Sequence, residues 1–149
     1  MTPIQQQRKL RDIVSKEITR LGKDADLNHI DISEFTTLAF LFKDNDFTGD
    51  ISNWDVSHIT SMHRMFDGSS FNGDLSKWNT SNVTCFTEIF LNSKYKGDVT
   101  CWDLSKASTY LDMFEGTSFT GVVKDTYYYK GWRVGKKDYT KFMLESLGD

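Results

Sequence analysis

Apolar residues follow different rhythms in different parts of this chain. Between Pro3 and Leu21, the apolar residues Leu10, Ile13, Val14, Ile18 and Leu21 alternate with polar and charged ones. Their spacing places them on one stripe of a helical wheel, so an amphipathic helix is predicted over 3–21. Pro3 suits the first helical position and Gly22 the end. From residue 47 onward the rhythm changes. Ile51, Trp54 and Val56 suggest a short strand whose side chains point alternately in and out. Trp54 and Val56 then face inward, and Asn53 and Asp55 outward. Ile59, Met62, Met65 and Phe66 follow at spacings that suit one face of a short helix, with Ser57 placed to cap it. The stretch DGSSFNGD closes the unit with turn chemistry.

This unit recurs. Written from Phe47 in lines of twenty-four, the chain reads FTGDISNWDVSHITSMHRMFDGSS, FNGDLSKWNTSNVTCFTEIFLNSK and YKGDVTCWDLSKASTYLDMFEGTS. A fourth line begins FTGVV at Phe119 and departs. The tryptophan is Trp54, Trp78 and Trp102; the aspartate is Asp50, Asp74 and Asp98; the closing phenylalanine is Phe66, Phe90 and Phe114. A weaker copy, LNHIDISEFTTLAFLFKDND, precedes them, with Ile30 in the place of the tryptophan. The period lies in the range of leucine-rich repeats.

The expected fold class is therefore an α+β repeat solenoid, a leucine-rich-repeat-like stack of short strand–short helix coils. A helix should cap its N-terminal end, and a hairpin and helix its C-terminal end. The chain divides, within one domain, into a capping helix at 1–26, a degenerate repeat at 27–46, repeats at 47–70, 71–94 and 95–118, and a C-terminal cap at 119–149. In that cap, TYYYKGWRVGKKDY reads as a hairpin turning at Lys130-Gly131. DYTKFMLESLG reads as a closing helix with Asp138 as its cap.

Charge adds a further feature. The net charge of −3 argues against a basic nucleic-acid binder. Its distribution is uneven: residues 24–118 hold six basic and fifteen acidic side chains, a net of −9, between basic ends of +4 and +2. The first eighteen residues have no continuous apolar run and do not read as a signal peptide, and no stretch approaches transmembrane length. Cys85 and Cys101 are too few for a disulfide scaffold and read as free thiols in a reducing, cytoplasmic setting.

Candidate chemistry is sparse. His58 and His63 are five residues apart, a poor spacing for one helical face, and neither cysteine sits in a C-x-x-C pair. No nucleophile elbow or phosphate loop is present. Asp50, Asp74 and Asp98 read as turn residues accepting backbone N–H bonds; one carboxylate per copy is too few for calcium. No cofactor and no metal are expected. The expected outward face of the strands is a better candidate: His29 and Asp31, Asn53 and Asp55, Lys77 and Asn79, Cys101 and Asp103. A second candidate is the C-terminal patch of Tyr127, Tyr128, Tyr129, Trp132 and Arg133, residue types enriched at binding hot spots.

The motif F-x-G-D-I-S-x-W-D-V-S-x-V-T-x-M-x-x-M-F, matched by FTGDISNWDVSHITSMHRMF at 47–66, resembles the BspA-type leucine-rich repeats. The resemblance covers about 27–121. It implies protein binding and adhesion at the surfaces of host-associated bacteria and some protozoa. This chain departs from that picture in having no evident leader, lipoprotein cysteine or sorting signal. The expectation is a non-enzymatic protein-binding module, a small intracellular binder or inhibitor of the kind phages and mobile elements encode. By analogy, its target is a host defence or nucleic-acid-handling complex. Its expected partner is a protein, without direct nucleic-acid or membrane binding, and it is expected to be a monomer or weak homo-oligomer. A surface or secreted adhesin, an enzyme on a repeat scaffold and a self-associating module stand as alternatives.

Overall fold

The computed structural model describes residues 1–148. Its regular elements run α1 (Pro3–Leu21), β1 (Gly121–Val123), β2 (Thr126–Tyr129), β3 (Trp132–Val134) and α2 (Lys136–Leu147). The three strands form one antiparallel sheet in the order β1-β2-β3. The fold is thus a small α+β domain, which corrects the expected leucine-rich-repeat-like solenoid of strand–helix coils. Neither the short strand around each tryptophan nor the short helix after it forms.

The backbone explains why the 59–66 segment is not a helix. Arg64 has φ 49° and Glu88, one copy later, has φ 52°; Gly68 and Asn92 are likewise left-handed, at 67° and 53°. A left-handed residue interrupts the i→i−4 ladder that a helix needs. The N–H groups of Met62, Arg64 and Phe66 donate instead to Cys85, Thr87 and Ile89 of the following copy, at 2.8–3.0 Å. The alternate N–H groups of Met65, Asp67 and Ser69 close turns onto residues three back. Ser57 caps no helix; its N–H donates to Asp55 Oδ1 at 3.0 Å. Between α1 and β1 the repeat is therefore expressed as turns and single parallel bridges, Thr37↔Ser61, Ser61↔Cys85 and Cys85↔Thr109.

The core is aromatic. The rings of Phe42, Phe66, Phe90 and Phe114 form one column with centroids 5.6–5.7 Å apart. Phe47, Phe71 and Tyr95 form a second, at 6.0 and 6.3 Å. The columns touch, as between Phe66 and Phe71 at 4.9 Å. Trp54, Trp78 and Trp102 are buried, and each indole N–H donates to a carbonyl of the preceding copy: Leu27, Ile51 and Leu75 respectively. A buried indole N–H needs such an acceptor, so each tryptophan ties two copies together as well as filling the core.

α1 covers the first copy. Thr2 caps it in a reciprocal capping box with Gln5. Leu10 and Val14 are fully buried, Ile13 and Ile18 partly, while Leu21 is exposed. Buried Gln6 lies on the same face: its Oε1 accepts the Thr36 N–H at 2.8 Å.

At the other end, β2 and β3 turn at Lys130 (φ 50°) and Gly131 (φ 87°), the backbone of a type I′ hairpin and the turn that the sequence indicates. β1 is an additional strand, joined to β2 by Lys124 and Asp125, both also left-handed. α2 begins at Lys136 after Gly135, so Asp138 lies in its first turn rather than capping it, and no side-chain cap bond is made.

Candidate functional site

The outward residues of the repeats are held by side-chain turns. In these, an aspartate or asparagine oxygen accepts the N–H of the residue two positions on. Asp31 does this for Ser33, Asp55 for Ser57, Asn79 for Ser81 and Asp103 for Ser105, at 2.8–3.1 Å. Asp50, Asp74 and Asp98 do the same for Ser52, Ser76 and Thr100. The side chain that fixes the local turn is therefore the one displayed to solvent.

Asp31, Asn53, Asp55, Lys77, Asn79 and Asp103 are all exposed, as are His29 and Cys101. They come from equivalent positions of successive copies, and each adjoins a buried residue such as Trp54, Val56, Trp78, Thr80, Trp102 or Leu104. Packing anchors the backbone on both sides of Asp31, Asp55, Asn79 and Asp103, and on the C-terminal side of His29, Asn53, Lys77 and Cys101. Asn53 is fixed further by the Asn28 side chain, which accepts its N–H at 2.8 Å.

These bonds lower carboxylate pKa values. For Asp55 and Asp103 the hydroxyls of Ser57 and Ser105 act most strongly, followed by the backbone N–H groups of the same residues. For Asp31 the Ser33 N–H leads and its hydroxyl follows. All three are ionised at neutral pH, so the row carries three negative charges against Lys77.

The C-terminal patch divides into three parts. Tyr128 is buried against Phe114 and Phe119, and its hydroxyl donates to the carbonyls of Tyr110 and Leu111. Tyr127 and Tyr129 point to the other face of the sheet, where Tyr139 and Phe142 of α2 lie against them at 5.2 and 4.7 Å. Trp132 and Arg133 remain exposed, Trp132 by 64%. Of the five, these two alone are fully exposed, while Tyr127 and Tyr129 are half-buried. Trp132 and Arg133 line a groove of about 650 Å³ together with Tyr110, Leu111, Asp112 and Glu115. The groove is missing from the sequence reading, because nothing in residues 110–115 distinguishes the last copy from those before it.

The histidines do not converge. His29 meets Glu17 of α1 at 2.6 Å, His58 lies against the Ile32 carbonyl and His63 against the Phe40 ring. Among the described residues there is no group of three or more side chains arranged to hold a metal ion. Among them, no helix is long and apolar enough to cross a membrane.

The profile of one protein family, described as a Mycoplasma protein of unknown function, DUF285, matches residues 10–125. The match supports a relation to BspA-like repeat proteins in its broad form. No curated protein and no solved structure matches the chain.

Proposed function

We propose that this chain, which belongs to the DUF285 family, works as a non-enzymatic protein-binding module. The proposal rests on one observation: a row of exposed polar side chains, Asp31, Asn53, Asp55, Lys77, Asn79 and Asp103, presented from turns anchored in an aromatic core. Pre-fixed side chains lose little entropy on docking, which favours recognition of a second surface. We read the 24-residue motif as a BspA-type variant put to this use. The acidic bias of the centre suits a basic protein surface, such as that of a nucleic-acid-handling complex, and the charge complementarity would set partner choice and encounter rate. The setting we assign is cytoplasmic, with the chain acting as a small binder or inhibitor.

Affinity capture from a bacterial lysate tests the reading, using the wild-type chain beside the triple variant Asp31→Asn, Asp55→Asn, Asp103→Asn. Asparagine keeps the turn-forming oxygen and removes the charge. A specific protein should be held by the wild type, lost by the triple variant, and released as ionic strength rises from about 0.05 to about 0.5 M. Equal capture by both chains, unaffected by salt, would sink the electrostatic reading.

A further inference from the structure

Successive copies pair through a repeated pattern with one departure, in which Glu88 donates its N–H to the Asp112 carboxylate rather than to the Leu111 carbonyl. Leu38 and Phe40 donate their N–H groups to the carbonyls of Ser61 and His63, while Thr60 donates back to Thr36, at 2.8–3.0 Å. One copy on, Met62 and Arg64 donate to Cys85 and Thr87, and Thr84 to Thr60. In the last copy the equivalent groups are the N–H of Tyr110, the N–H of Asp112 and the carbonyl of Ser108. Among the described residues none of the three has a hydrogen-bond partner. At the opposite end, the matching Thr36 N–H is taken by the Gln6 side chain. One end of the pattern thus receives a side-chain partner from α1. The other presents an open parallel edge, and that edge lines the 650 Å³ groove beside the hairpin.

We infer that this groove binds an extended segment of a partner protein, which adds to the edge in the register of a following copy. An unpaired row of alternating donors and acceptors is a template for strand addition, with main-chain bonds supplying affinity and side-chain pockets specificity. The side chains around the edge define the chemistry of the segment. Exposed Trp132 and Leu111, at 64% and 45%, offer an apolar contact. Asp112 and Glu115 supply two carboxylates against the single guanidinium of Arg133. Asp112 follows Arg64 and Glu88 in one row, and those two already form an ion pair at 2.9 Å. The incoming segment therefore carries a basic residue in the place equivalent to Arg64, facing Asp112. The inference rests on the protein-binding reading above but uses different residues, so the two can fail separately.

The probe is a synthetic, acetylated and amidated peptide with the sequence of residues 57–68, which sits on the equivalent edge of the first copy within the chain. Calorimetric titration into the full chain should show saturable one-to-one binding. In this register the peptide Thr60 N–H meets the Ser108 carbonyl, whereas its Met62 N–H points away. N-methylation at Thr60 should weaken binding at least about tenfold, and N-methylation at Met62 should leave it unchanged. Trp132→Ala and Glu115→Lys change exposed side chains and should each weaken binding. The triple asparagine variant of the exposed row should bind the peptide normally. The inference is overturned by absence of binding up to about millimolar peptide, by equal effects of the two methylations, or by a dimer of the chain itself that competes with the peptide and is lost in Trp132→Ala.

Discussion

At the scale of single residues, the aromatic columns contain one exception to their apolar chemistry. Tyr95 occupies the place held by Phe47, Phe71 and Phe119 in the other copies, and its hydroxyl is buried without a hydrogen-bond partner among the described residues. Burial also pushes its pKa upward, with the charges of Asp74 and Asp98 adding to the effect. An orphaned hydroxyl costs its desolvation, and the phenyl ring alone keeps the stacking on Phe71 and Phe90. Tyr95→Phe is expected to stabilise the protein by about 1 kcal/mol, read as a higher urea midpoint with an unchanged slope. A loss of similar size would show that the hydroxyl has a partner in solution. The columns were legible in the sequence because six positions repeat without insertion or deletion. The left-handed residues were not, because Phe40, Arg64 and Glu88 carry none of the glycine or asparagine signal that marks such a backbone.

At the scale of elements, the extent of α1 and most of its buried stripe were legible, Leu21 excepted, and the segments it covers were not. Its stripe is local in sequence, and spacings of three and four residues suffice to predict it. Gln6, to which the helical stripe assigns no role, supplies the acceptor for Thr36 across thirty positions. Gln6→Ala should cost about 1–2 kcal/mol by leaving the Thr36 N–H unpaired, while Gln6→Glu should retain most of the stability by keeping an acceptor. Equal losses in the two variants, read from thermal midpoints, would assign Gln6 a packing role instead. The hairpin was legible from Lys130-Gly131, whereas β1 was hidden by the turn at Lys124-Asp125, which contains no glycine. The expected strand and helix within each copy fail for different reasons. Around each tryptophan the backbone closes local turns, with Trp54 donating to Ile51, Trp78 to Leu75 and Trp102 to Val99. In the expected helix alternate N–H groups run to residues 23 or 24 positions away, and local periodicity carries no record of such partners.

At the scale of the whole molecule, the side-chain turns couple stability to pH. Asp50, Asp55, Asp74, Asp98 and Asp103 have pKa values below their ordinary 3.8 because the hydroxyl and then the N–H of the residue two positions on bond the ionised form. Glu17 is lowered to about 2 by its bonds to Arg20 and His29. A carboxylate with a depressed folded-state pKa stabilises the fold above its unfolded value and loses that contribution as pH falls through the folded one. The thermal midpoint should therefore hold steady from about pH 7 to 5 and fall below about pH 4, and Asp74→Asn should soften that fall. A midpoint that stays level to about pH 2.5 would remove the carboxylates from this role.

Two of these aspartates, Asp55 and Asp103, belong to the proposed binding face. Asp31, Asn53, Asp55, Lys77, Asn79 and Asp103 are exposed as expected, although turns and not strands display them. Amide hydrogen exchange on the chain with and without its captured partner tests the binding face most directly. Slowed exchange concentrated in 53–57, 77–81 and 101–105 is the predicted result. A stable complex in which those three segments exchange as fast as in the free chain would contradict it.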